Sequence, residues 1–348
     1  IINNNNVNKV IEAWDNRTGA TDNTGIDNTK AARRVGREST KNRITVTGDV
    51  GNVNLTIDNI YSTYHESGSE GGFDRYRDKG GIAFNPSSAS GSRDSQLKLN
   101  IIGDNRLGCI HYSNQSKTKN SLTFEGTGSL TVADADFYKA TNNNVNGYYA
   151  NRSCAVIGSA DYQTSNTSKD DHAYNIIINS GNIYAGATKA EVSTPIGGGG
   201  NGNSIITIKG GTITAVASGT GSAIGGGTGL SQKGGEGVVN IEGGNVYAYN
   251  LENSYGIPSA AIGGGGSRDA VGSKGTVKIS GGNIYAFSIA GTAIGGGSSK
   301  TKNGGSAEVT ITGGNIIAIS KAGTISGSKT AGAGIGGGTG GSDSGSDG

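Results

Sequence analysis

Two short phrases alternate along this chain and leave few folds open to it. One is an isoleucine followed by three glycines: Ile196-Gly197-Gly198-Gly199, then again from Ile224, Ile262, Ile294 and Ile335. The other leads with glycine into a strand: Ser180-Gly181-Asn182-Ile183-Tyr184-Ala185, with equivalents beginning at Gly210, Gly243, Gly281 and Gly313. Paired phrases returning every roughly 28 to 41 residues mark a solenoid, in which each repeat adds one coil to a continuous core.

One coil shows how the chain turns. In Thr276-Val277-Lys278-Ile279-Ser280, strict alternation puts Val277 and Ile279 on one face and Lys278 and Ser280 on the other. Gly281-Gly282 then rounds a corner that a Cβ would obstruct. A second strand follows with Ile284 and Ala286 inward and Tyr285 outward, and Thr292-Ala293-Ile294 forms the third, closed by the triple glycine. Aligned coils place Ile176, Ile206, Val239, Val277 and Val309 in one inward ladder, and Ile178, Ile208, Ile241, Ile279 and Ile311 in the next. The reading is all-β: a right-handed parallel β-helix with about three short strands per coil over residues 43–340, stacked at about 4.8 Å. Weaker coils are expected upstream, at Val53-Asn54-Leu55-Thr56-Ile57, Leu97 to Ile102 and Leu122 to Val132. The stretches between Tyr61 and Gly80 and between Tyr138 and Arg152 are long for turns and read as functional or partner loops.

Residues 1–42 break the pattern. Val7, Val10, Ile11 and Trp14 fall at helical spacing, and Lys30 to Arg37 is basic with helix formers. This segment is expected to cap the open end of the solenoid or to serve as an assembly arm. The chain starts at Ile1 and holds no Met, which reads as a piece of a longer precursor. Residues 341–348 read as the start of a flexible Gly/Ser/Asp linker.

Composition narrows the function classes. Glycine supplies 65 of 348 residues, yet there are only 3 prolines and no Gly-X-Y period, which excludes collagen. Charged residues make up 16% and the net charge is +2, so no nucleic-acid partner is expected. No apolar run approaches the length of a membrane span, so no membrane insertion is expected within this segment.

Catalytic chemistry finds little support. His65, His111 and His172 have no zinc-binding spacing, and the triple glycines are not followed by the Lys-Ser or Lys-Thr of a phosphate loop. The repeated coils offer no stacked outward carboxylate pair for glycosidase work, and no enzyme is expected. Asp134 with Asp136, and Asp170-Asp171 beside His172, could hold Ca²⁺, although solvated loop acids explain them as well. The clearest surface signal is aromatic: Tyr184, Tyr247 and Tyr285 share one outward position, interrupted by Thr214 and followed by Ile317. Such a row can stack on sugar rings or bury against another protein, though Tyr is also simply a good strand residue. Cys109 and Cys154 each precede a third-strand position, which leaves a disulfide between adjacent coils open. Asn-x-Ser/Thr sequons at Asn16, Asn54, Asn114, Asn151 and Asn166 fit an exported glycoprotein, and chance fits them too in so Asn-rich a chain.

The Ile-Gly-Gly-Gly phrase, the strand–Gly-Gly–strand phrase and the upstream order Val53 to Ile57, Asp104-Asn105-Arg106-Leu107 and Leu122 to Val132 together resemble a known family. They are similar to the glycine-rich parallel β-helix proteins of clostridial and related cell surfaces, over roughly residues 43 to 340. That family includes non-catalytic carbohydrate-binding β-helices, some pectin-directed and calcium-containing, and proteins regarded as adhesins. No ligand motif of the family matches residue by residue, so no site is carried over. The resemblance implies an extracellular, cell-surface location. The function expected is structural or adhesive, as in a filament or array subunit, with self-association or other surface proteins as partners. The alternative is a carbohydrate-binding module for acidic plant or cell-wall polysaccharide, and a polysaccharide lyase comes last.

Overall fold

The structure is a computed structural model that describes residues 8–12, 44–62, 81–87, 92–112, 120–133, 155–159, 173–187, 194–218, 220–251, 256–325 and 328–341. Its strands wind into a parallel β-helix with three faces. Face 1 runs from Asn8–Glu12 through Asn52–Asp58, Gln96–Ile102, Ser121–Gly126, Ala173–Ile178, Asn203–Ile208, Gly237–Ile241 and Gly275–Ile279 to Ala307–Ile311. Face 2 runs from Tyr61–Ser62 and Asp104–Leu107 through Ser129–Ala133, Asn182–Ala187, Thr212–Ala217, Asn245–Asn250 and Asn283–Ile289 to Asn315–Lys321. Face 3 begins at Ile44–Gly48 and ends at Ile335–Gly336, and in its later coils each strand is only the Ile-Gly of the triple-glycine phrase. Every pairing within the three faces is parallel. A single antiparallel hairpin, Gly323–Ile325 with Ser328–Thr330, stands apart among the described residues.

The inward ladders follow the registers read from the sequence. On face 1, Val53, Leu97, Leu122, Ile176, Ile206, Val239, Val277 and Val309 are consecutive partners. The adjoining ladder runs Leu55, Leu99, Phe124, Ile178, Ile208, Ile241, Ile279 and Ile311. On face 3, Ile157, Ile196, Ile224, Ile262 and Ile294 stack on one another and are buried. These ladders form one hydrophobic core along the axis, because period-2 alternation commits alternate residues of each strand to the interior.

Two glycine positions make the winding possible. The glycine after each face-3 isoleucine has a left-handed backbone: Gly158, Gly197, Gly225, Gly263, Gly295 and Gly336 all lie at φ between 133° and 149°. A Cβ on any of the first five would collide with the carbonyl oxygen of the glycine one coil on. At the corner between faces 1 and 2, Gly181, Gly211, Gly244, Gly282 and Gly314 also hold positive φ, between 87° and 105°. Backbone conformation demands the glycine at these positions in both phrases, and at all but Gly181 and Gly336 a Cβ would also crowd the backbone of the neighbouring coil.

Several polar side chains enter the interior on hydrogen bonds to the backbone. Asn105 occupies the ladder of Leu130 and Ile183 yet is fully buried. Its Oδ1 accepts from Ile60 N at 3.0 Å, and its Nδ2 donates to Ile102 O at 2.7 Å and Ser129 O at 3.2 Å. It thus knits the first corners as their glycine phrase is still incomplete. In the later coils Asn250 and Ser288 take the inward place of Ala217, donating to Gly221 O at 2.8 Å and Ser259 O at 3.2 Å respectively.

The helical spacing read at Val10 and Ile11 needs correction. Asn8–Glu12, which contains two of the four residues read at helical spacing, is a strand that extends face 1 in parallel register on Asn54–Asp58. An exposed sheet edge offers hydrogen bonds that an isolated short helix cannot match, so tertiary pairing overrides the local periodicity. The rest of residues 1–42, and both stretches read as partner loops except Tyr61 and Ser62, lie outside the described residues. Among the described residues no helix is long and apolar enough to cross a membrane.

Candidate binding face

The outward side of face 2 carries three parallel rows, and each follows from strand alternation. The tyrosine position forms the middle row: Arg106, Thr131, Tyr184, Thr214, Tyr247, Tyr285 and Ile317 are consecutive register partners. Two residues on, a second row reads Ala133, Gly186, Val216, Tyr249, Phe287 and Ile319. Together they form a strip that turns apolar from Val216 onward and holds Tyr247, Tyr249, Tyr285, Phe287, Ile317 and Ile319. Ile317 is 55% exposed, Ile319 39% and Tyr247 38%, unusual values for large apolar side chains.

The rings are set by their neighbours. Tyr249 and Tyr285 lie diagonally across adjacent coils with ring centroids 5.6 Å apart and planes tilted by 44°. At the start of the strip, a Cβ on Gly186 would stand 2.9 Å from Tyr184 Cε1, so the missing side chain lets the Tyr184 ring lie across the sheet. Burial first, then the phenols of Tyr285 and Tyr247, raise the Tyr249 pKa above the usual 10.0. A raised folded-state value means that the associated stability is complete below about pH 10. It is lost as the pH climbs through the raised value. Tyr249→Phe is therefore expected to be less sensitive to alkaline denaturation than the parent, read from unfolding midpoints on either side of pH 10 alongside tyrosinate absorbance.

An amide rail borders the strip. Asn182, Thr212, Asn245, Asn283 and Asn315 form the third row, two residues before the tyrosines. Asn315 Nδ2 donates to Asn283 Oδ1 at 2.9 Å, and Asn283 Nδ2 donates to Asn245 Oδ1 at 2.9 Å. Stacked carboxamides of this kind satisfy one another along the axis and keep donors and acceptors in line. Within the three rows, charge is confined to the N-terminal end, where Arg106 pairs with Asp104 at 3.1 Å.

Tyr184, Tyr247 and Tyr285 thus share one row, as their spacing implied. The Tyr249–Phe287–Ile319 row was legible in the same alternation two residues later, and the rail was legible in the recurring Gly-Gly-Asn. Cys109 is buried beside face 3, while Cys154 lies outside the described residues, as do Asp134, Asp136, Asp170 and Asp171. Of the sequons, Asn54 is exposed on the outer side of face 1, whereas Asn16, Asn114, Asn151 and Asn166 lie outside the described residues. His111 is buried on face 3. No group of three or more His, Cys, Asp or Glu side chains suited to holding a metal occurs among the described residues.

By architecture the chain is a parallel β-helix solenoid. Searches of protein-family models, curated proteins and solved structures find no match to it.

Proposed function

We propose that this chain is a non-catalytic, extracellular cell-surface β-helix with an adhesive or structural role, and that the apolar strip of face 2 is its contact surface. The observation that carries the reading is the cluster of Tyr247, Tyr285, Ile317 and Ile319 in neighbouring outward rows of face 2 that carry no charge from Tyr184 onward. Water-exposed aromatic and aliphatic side chains on neighbouring coils gain by being covered, and the stacked backbone beneath them spares the partner most of the ordering cost.

A second reading, carbohydrate binding, is favoured by the rail. Tyrosine rings can stack on the apolar faces of sugar rings while adjacent carboxamides bond hydroxyl groups. Both readings are tested with a Tyr247→Ser, Tyr249→Ser, Tyr285→Ser triple variant. The parent chain is expected to be retained on purified cell envelopes, and the variant to lose at least about tenfold in affinity. An equal loss on arrayed acidic polysaccharides would assign the carbohydrate reading. Undiminished retention of the variant on both would sink the strip as the contact surface.

A further inference from the structure

Alternation on the outward side of face 2 sets three phenols on two neighbouring coils. Tyr247 and Tyr249 lie two residues apart on Asn245–Asn250, and Tyr285 on Asn283–Ile289 is the register partner of Tyr247. The ring that Tyr285 meets is nevertheless the diagonal one. Its centroid stands 5.6 Å from that of Tyr249, with the planes tilted by 44°. Burial raises the Tyr249 pKa, and after burial the phenol of Tyr285 contributes more than that of Tyr247.

The surroundings leave few competitors for an oxidant. The chain has no methionine, and its one tryptophan, Trp14, lies outside the described residues. Cys109 is buried. The other ring contact among the described residues, Tyr112 with Phe84, is sealed in the core. Tyr249 and Tyr285 are only half-buried and stand on the outer surface. Along the rows Tyr249 lies between Val216 and Phe287, and Tyr285 is followed by Ile317. These hydrocarbon side chains give up hydrogen far less readily than a phenol. A radical at Tyr249 therefore has its ring-contact phenol in Tyr285.

We propose that Tyr249 and Tyr285 are an oxidative modification site, coupled into an intramolecular dityrosine by a haem peroxidase fed with hydrogen peroxide. Each phenol loses one electron and its hydroxyl proton, which leaves two phenoxyl radicals. These join by a carbon–carbon bond between the ring positions next to the oxygens. The hydrogen on each bonded ring carbon then moves to its own oxygen and restores both phenols. One peroxide takes up the two electrons and two protons and leaves as two waters, so the chain loses two hydrogen atoms in all. Fixing both rings on stacked strands makes the coupling effectively unimolecular and favours it over coupling between chains.

The new bond would staple two coils that are otherwise joined by hydrogen bonds and side-chain packing. A solenoid yields at its coil-to-coil interfaces, and a covalent link across one of them restricts the unfolded chain as well. Unlike a disulfide, a carbon–carbon link is indifferent to thiols. The site does not depend on whether the strip is also a contact surface.

The test treats the dilute, intact chain with a haem peroxidase and hydrogen peroxide. In parallel it uses light-driven oxidation by ruthenium tris-bipyridyl and persulfate, which needs no enzyme to approach the surface. The expected product is a single chain, lighter by two hydrogen atoms, with the blue emission of dityrosine. Tryptic digestion should link residues 234–268 to residues 279–300, in which Tyr285 is the one tyrosine, and fragmentation should place the other end at Tyr249. Tyr249→Phe and Tyr285→Phe keep the rings and are each expected to lower the yield at least about tenfold, whereas Tyr247→Phe leaves it within about twofold. Unfolding in urea before oxidation should abolish the preference for this pair, and the linked parent should unfold at a higher urea midpoint than the untreated chain. Linked pairs of chains as the main product, a bond through Tyr247 or another tyrosine, or a yield indifferent to Tyr249→Phe would overturn the proposal. So would the lack of coupling with both oxidants, and an unchanged midpoint would remove the staple. Should a variant lose its fold, the peptide map of the oxidised parent still decides.

Discussion

Gly263→Ala is expected to cost about 4 kcal/mol or more and to split the cooperative unfolding of the rod. Gly263 sits at φ 133°, a region that alanine enters only with strain. Strain alone accounts for about 1–3 kcal/mol. The remainder comes from the methyl group, which would meet the carbonyl oxygen of Gly295 in the next coil. Moving that carbonyl disturbs Gly264 N, which donates to it at 2.9 Å, and so the seam between two coils opens. A solenoid is held by nearest-neighbour interfaces, so a damaged seam in the middle separates the coils before it from those after it. Urea denaturation followed by both circular dichroism and tyrosine fluorescence would show two transitions in place of one. Gly48→Ala is the control. Gly48 also holds positive φ, at 92°, but nothing lies within 4 Å of a Cβ there, so only about 1–2 kcal/mol is expected. Equal losses at the two sites would mean that backbone strain, and not stacking, dictates the repeated glycine.

Phe124→Ala is expected to destabilise the chain by about 3–5 kcal/mol without altering its outer surface. Phe124 is fully buried and is the one aromatic residue in a ladder otherwise made of leucine and isoleucine from Leu55 to Ile311. Leu99 and Ile178 stand directly before and after it. The stacked backbones hold each of these neighbours about 4.8 Å from the level of Phe124 and prevent collapse into the space that a lost ring leaves. Phe124→Leu, which restores the ladder's usual side chain, is expected to recover most of the loss. The check is the urea midpoint of the three proteins at equal slope. An alanine variant within about 1 kcal/mol of the parent would show that this part of the core is loosely packed.

How much of this could be read in advance follows from the kind of information each feature needs. The alternation of Val277 and Ile279, the corner at Gly281-Gly282 and the Ile294-Gly295 stop are local, and the identical pattern one repeat away supplies the register. Stacking like on like is then enough to derive the ladders and to line up Tyr247 with Tyr285. The second outward row, Tyr249 and Phe287, was equally local and needed only the same alternation carried two residues further.

Other features arise only from what the coils bring together. Val10 and Ile11 fit a helix by spacing, but the free edge of Asn52–Asp58 draws them into a strand. Asn105 looks misplaced in an apolar ladder until Ile60 N, Ile102 O and Ser129 O surround it. The sequence by itself thus determined the coil, its corners and its repeating faces, because these depend on φ preference and period-2 burial within a few residues. Only the tertiary structure decided which edge captures the N-terminal strand and how the buried polar groups are satisfied. Those outcomes turn on hydrogen bonds and exposure between residues that only the winding brings into contact.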